Sequence, residues 1–236
     1  MSRLYAAAVV LALPFLLLAC GGGDDDAGGG QAELGQVLTQ PPSAYAPAVE
    51  ELDDFFSVND NETYGLALGT FASLGPFQNR AEGEALAEEW GYVQGYRVIY
   101  QPDGLLAGVL QGRYFATIMI HEFETAEGAR DAFAHYKAWS DGVADSKKEQ
   151  APELGNESGA WSIIAGNVGN TEMERVYHRI VIRRGNIVAD IVTEGGLPFM
   201  TIDQAAGLAQ IFDGRVTGDR PAEPPTPVPV STSPAF

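Results

Sequence analysis

Cysteine occurs once in the 236 residues, at Cys20. No intramolecular disulfide can form, so the fold stands on packing alone. Basic residues are scarce beside acidic ones: 14 Lys and Arg face 32 Asp and Glu, a net charge of −18. That balance argues against a nucleic-acid partner, whose phosphates must be neutralised by basic groups, and it disfavours docking on anionic headgroups. A strongly acidic surface instead keeps a domain soluble and attracts cations. Histidine is nearly absent, with three residues scattered at His121, His135 and His178; lacking a second cysteine, they do not make a usual zinc site. The apolar run at residues 4–18 covers about fifteen residues and is interrupted by Pro14, short of the roughly twenty that a membrane-spanning helix requires.

Reaction machinery is also missing. There is no Gly-x-Ser-x-Gly elbow, no Ser-x-x-Lys pair with supporting motifs, and no phosphate-binding glycine loop ending in Lys-Ser or Lys-Thr. The stretch HEFE at residues 121–124 carries the first two letters of the zinc-protease motif without its second histidine. It falls in a strand pattern, where His121 and Glu122 face opposite ways. The acidic pairs Asp53-Asp54 and Glu88-Glu89 read as solvated faces, and the triplets beginning at Asn61 and Asn156 read as turns. The expectation is a protein with no cofactor, no metal and no catalytic residue.

What is present begins at the N-terminus. Arg3, an apolar run and the small residue Ala19 ahead of Cys20 have the order of a secretory signal peptide. Leu17-Leu18-Ala19-Cys20 resembles the lipobox of bacterial lipoproteins. The resemblance implies cleavage before Cys20, a diacylglyceryl group on its thiol through a thioether, and often acylation of the new N-terminus. Buried acyl chains contribute about 0.8 kcal/mol per CH₂, and two chains anchor stably. It therefore implies a protein secreted and lipid-anchored to the extracytoplasmic face of a bacterial membrane. The following GGGDDDAGGG suits such an anchor, because glycine-rich chain is a flexible coil and three aspartates stay in water. These aspartates lack the alternate spacing of a calcium loop.

Composition and proline content divide the chain into a signal peptide (1–19), a lipidated Cys20 with a flexible linker (20–47), one domain (48–216), and a Pro-rich tail (217–236) that favours extended conformation over packing. With 45% hydrophobic and 10% aromatic residues, the domain can bury a real core. Ala48, Val49, Leu52, Phe55 and Phe56 repeat at helical spacing after Pro47, predicting a short amphipathic helix. A second helix is expected over 82–90, stopped by Gly91. Strands are expected over 96–100, 114–123, 161–165, 176–182 and 187–193. Thr125 is placed to cap a helix carrying Ala129, Phe133 and Tyr136 on one side, Gly185-Asn186 to close a hairpin, and Thr201 with Gln204 to open the last helix as a capping box.

These elements predict an α+β fold: an antiparallel sheet of about four to six strands with helices mainly on one face. Strands followed by a helix occur twice, at 95–139 and 159–212, so the units could be pseudo-duplicated. Strands apolar on both faces equally permit a sheet covered twice. Aromatic residues with polar handles suggest where a ligand could sit. Trp90, Tyr114, His121, Trp161 and His178 are the candidate ligand-facing residues, with a site sought between the last helix, the Trp161 strand and the 114–123 strand. The expected function is a lipid-anchored extracytoplasmic binding or sensing module without catalytic activity, its partners the membrane through Cys20 and either an envelope protein or a small apolar ligand. A carrier of an apolar ligand or lipid is the first alternative, and an envelope hydrolase the second.

Overall fold

The structure, a computed structural model, describes residues 37–52, 57–102, 112–168 and 170–221. The expected signal peptide, Cys20, its glycine and aspartate tether, Phe55, Phe56 and residues 222–236 of the expected tail lie outside the described residues.

Eight strands occur among the described residues: β1 (Ser57–Val58), β2 (Tyr64–Leu66), β3 (Tyr92–Gln101), β4 (Arg113–Phe123), β5 (Lys147–Lys148), β6 (Glu157–Asn167), β7 (Glu174–Arg184) and β8 (Ile187–Gly196). They form one sheet in the order β1-β3-β4-β8-β7-β6-β5, with β2 also on β3, and the pairs are antiparallel. The count exceeds the expected four to six because β1, β2 and β5 are two or three residues long, too short to show a period in sequence. The five long strands are those the alternation predicted.

Among the described residues, four α-helices accompany the sheet: α1 (Leu68–Leu74), α2 (Arg80–Glu89), α3 (Ala126–Gly142) and α4 (Ile202–Thr217). The first three lie on one face, where Phe71, Ala87, Ala129, Ala132, Phe133 and Tyr136 pack with Phe123, Trp161, Val181 and Val188. The last lies on the other, where Ala205, Leu208, Ala209 and Phe212 meet Ile118, Ile120, Ile180, Ile182 and Ile191. Each fully buried apolar side chain of this size contributes about 1.5–3 kcal/mol, and strands buried on both faces read as apolar at odd and even positions alike. The strands-then-helix order recurs, yet α3 and α4 leave toward opposite faces, so the recurrence is one of chain order.

Local chemistry sets the ends of these elements. The Thr125 hydroxyl accepts from Gly128 N–H at 3.0 Å to start α3, a cap worth about 1 kcal/mol. Gln204 Oε1 accepts from both the Thr201 N–H and its hydroxyl, each at 2.7 Å, at the start of α4. Gly185 has φ of 56° in the two-residue turn joining β7 to β8, a backbone region open to glycine at no steric cost. Arg184 at the end of β7 then grips Asp213 of α4 through two hydrogen bonds of 2.6 and 2.8 Å, which fixes the helix on its face.

The N-terminal boundary of the domain needs correction. The linker expected to extend to Pro47 is already core from Leu38, which is 7% exposed, and Tyr45, which is 3% exposed. Leu38 N–H donates to Asn186 Oδ1 at 2.7 Å, and the Tyr100 hydroxyl donates to the Pro47 carbonyl. This proline-rich segment packs through a 3₁₀ turn, Pro42–Tyr45, which buries Ala44 and Tyr45 and sets Tyr45 in the core on the α4 face of the sheet. The predicted helix after Pro47 is instead a three-residue 3₁₀ turn, Val49–Glu51. Arg215 of α4 holds Glu51 there at 2.5 Å.

Candidate functional site

On the α3 face, the helices cover the end of the sheet carrying His121, Phe123, Val181 and Val188. Farther along the strands, Met119, Ile163, Tyr177 and Val192 remain only half-buried. Together with Trp161 and the turn after α1 at Leu74, Gly75 and Pro76, they line a cleft of about 290 Å³, rimmed by Trp139 of α3. Strand alternation places these residues together: Trp161 stands directly across from Arg179, and Arg179 across from Val192.

The floor of the cleft holds a buried ion pair. Arg179 and Asp190 sit diagonally on β7 and β8, with side chains 13% and 2% exposed. Arg179 Nε and Nη2 donate to the two carboxylate oxygens at 2.7 and 2.9 Å, and Nη1 donates to Ser140 Oγ at 3.1 Å. Burial acts against the guanidinium charge, and the Asp190 carboxylate more than offsets it, so the Arg179 pKa lies above its ordinary value. The guanidinium carbon lies 4.6 Å from the Trp139 ring centre and 5.3 Å from that of Tyr136. Such contacts contribute about 0.5–1 kcal/mol at exposed sites and more when desolvated. With each of its three nitrogens hydrogen-bonded, Arg179 forms a polar floor against which the two aromatic rings lie.

Behind that floor, the Tyr136 hydroxyl and His121 Nε2 share a hydrogen bond of 3.1 Å. Burial, reinforced by the nearby positive charge of Arg179, lowers the His121 pKa to about 3, so its ring is neutral at pH 7. Burial, together with the charge of Asp190, raises the Tyr136 phenol well above its ordinary range. Neither group is placed to exchange protons near neutrality.

The five sequence-nominated residues separate. Trp161 lines the cleft and donates from Nε1 to Asp141 Oδ1 at 2.8 Å. His121 lies beneath the cleft and does not line it. Trp90 packs at the end of α2 against Phe77 and His135, with ring centres 6.1 and 5.4 Å away. Tyr114 directs its hydroxyl at Met173 Sδ, 3.9 Å away. His178 faces α4 on the opposite side of the sheet, its Nδ1 2.7 Å from Ser162 Oγ and its Nε2 3.3 Å from the Met200 carbonyl oxygen. A single site between the last helix and the Trp161 strand does not form, because α4 and the Trp161 ring occupy different faces.

Arg179 and Asp190 are not among the candidate ligand-facing residues that the sequence suggests. The signal was present in the alternation of β7, which put a charged residue on the same face as Tyr177 and Val181. What the alternation lacked was the partner, since Asp190 comes from a different strand. Among the described residues, no three His, Cys, Asp or Glu side chains converge to hold a metal, and no helix is long and apolar enough to cross a membrane.

No protein-family model matches this chain, and no characterised protein matches it by sequence. Among solved structures, the chain is similar to the crystal structure of the extracellular domain of PknH from Mycobacterium tuberculosis, with a TM-score of 0.41 and 14% identity, over 76% of this chain and 98% of that one.

Proposed function

We propose that this chain is a lipid-anchored extracytoplasmic binding or sensing module without catalytic activity, held to a bacterial membrane through Cys20, and that the Trp139–Trp161 cleft is its binding surface. The observation that carries the reading is the cleft itself: about 290 Å³ of mainly apolar wall over a fixed ion pair. Apolar clefts with a few placed polar groups are the usual form of ligand sites. Trp139, 45% exposed, offers a large flat surface that loses little conformational freedom on binding. The lipobox-like Leu17-Leu18-Ala19-Cys20 and the glycine and aspartate tether support the location. Ligands of the cleft are small apolar or aromatic molecules, or an apolar side chain of an envelope protein.

The chain has three tryptophans, and two of them border the cleft, which gives a direct test. Full-length protein labelled with 5-fluorotryptophan, held in nanodiscs, is titrated with indole and separately with an envelope extract, and the ¹⁹F resonances are followed. Movement of the Trp139 and Trp161 signals with a still Trp90 signal supports the reading. If all three stay fixed with both additions, the cleft is not a binding surface. Metabolic labelling with palmitate tests the anchor: label should enter the wild type and be absent from Cys20→Ser.

A further inference from the structure

The opposite face of the sheet contains a second pocket with different chemistry. One cross-strand row on that face runs Ala116, Thr193, His178, Ser162, a polar row beside the apolar one made by Ile118, Ile191, Ile180 and Ala160. Above it, Met200, Leu208 and Ile211 with Leu52 wall a pocket of about 320 Å³, whose lining includes Thr193 from the sheet. Thr193 is 1% exposed, and its hydroxyl has no hydrogen-bond partner.

The neighbours of Thr193 explain that isolation. Ala116, across from it on β4, has no polar side-chain atom. His178, across from it on β7, directs its two ring nitrogens at Ser162 and the Met200 carbonyl oxygen. Burying a hydroxyl without a partner costs stability, and valine has the same shape without that cost. A polar group in this position at the floor of an open pocket is suited to meet a ligand. The charges at the rim are engaged with one another: the Glu51 carboxylate accepts from Arg220 at 3.0 Å and from Arg215 at 2.5 Å. The pocket therefore offers the Thr193 hydroxyl at its floor and apolar walls, with Gln204, Gln210 and the Glu51–Arg220 pair along its lining.

We propose that the pocket beneath α4 binds a small uncharged amphiphile, whose hydroxyl or carbonyl bonds to Thr193 Oγ1 while its apolar body lies against Met200, Leu208 and Ile211. This assignment does not depend on the cleft on the other face.

Cyclohexanol and methylcyclohexane are nearly isosteric probes that differ in the group offered to Thr193. Each is titrated into the full chain, held in nanodiscs and methyl-labelled at Met, Leu and Ile, with the free probe concentration measured. The expected result is saturable movement of the Met200, Leu208 and Ile211 methyl signals, with cyclohexanol preferred about tenfold, the ratio expected for one good hydrogen bond. The preference should vanish in Thr193→Val and persist in Thr193→Ser, which keeps the hydroxyl. No saturable movement at these methyl groups with either probe overturns the proposal, as does an unchanged alcohol preference in Thr193→Val. The fluorotryptophan signals of the cleft report separately, so probes that move Trp139 and Trp161 without moving these methyl signals would refute this pocket and leave the cleft reading standing.

Discussion

Arg179 and Asp190 meet diagonally across β7 and β8, the guanidinium donating to both carboxylate oxygens at 2.7 and 2.9 Å in a site almost closed to water. Removing one partner of such a pair leaves the other charge buried without compensation. Asp190→Ala should therefore cost about 3–5 kcal/mol in urea unfolding. The double variant Arg179→Met with Asp190→Leu should recover most of that loss, since no charge then remains in the floor. Equal destabilisation of the single and double variants would mean that packing, rather than charge, dominates here.

His121 gives the protein an acid sensitivity with a defined sign. The unfolded imidazole takes up a proton near pH 6.5, whereas the folded one, buried and beside Arg179, resists it down to about pH 3. Stability is thus complete above pH 6.5 and falls as the pH drops toward 3, by up to about 1.4 kcal/mol per pH unit. Carboxylates titrate in part of the same window, so the measurement is the difference between wild type and His121→Gln. The wild-type curve should be steeper between these limits, and parallel curves would contradict the assignment.

Gly128 inverts the ordinary rule for helices. In an exposed helix, alanine in place of glycine gains about 1 kcal/mol. At the start of α3, a Cβ on residue 128 would overlap the Trp90 carbonyl oxygen, where the start of α3 closely approaches the end of α2. Gly128→Ala should therefore destabilise by about 1–3 kcal/mol, read from thermal unfolding.

Asn186 joins three parts of the chain. Its Oδ1 accepts from Leu38 N–H at 2.7 Å, and its Nδ2 donates to the Phe123 carbonyl at 2.9 Å. Asn186→Ala should cost about 2–4 kcal/mol by leaving both groups buried and unpaired. Amide exchange at Leu38 should accelerate more than exchange in the middle of β8.

Thr193→Val should raise stability by about 1–2 kcal/mol, because it removes a buried hydroxyl that bonds to nothing. A loss of stability would show that the hydroxyl has a partner in solution.

Much of the architecture is legible in the sequence. The alternation of β7, the Gly185-Asn186 turn and the caps at Thr125 and Thr201 are local signals, each depending on residues within a few positions of one another. Segment 38–47 departs from the expected linker because prolines predict open chain locally, whereas Pro42 here starts a 3₁₀ turn, Pro42–Tyr45, that a sheet face is available to receive. The helix predicted after Pro47 shortened to a 3₁₀ turn where Arg215, far along the chain, captured Glu51.

By itself, the sequence determined the class of fold, the long strands and the caps of α3 and α4, because periodicity and capping are short-range properties of the backbone. Only the tertiary structure decided which face each helix covers and which side chains meet. A period of two states that residues share a face without naming their cross-strand partners, and β4 finds β8 across more than sixty residues of chain. For that reason Arg179 acquired Asp190, Trp161 and His178 came to opposite faces, and Thr193 was left at the floor of a pocket that no local pattern could reveal.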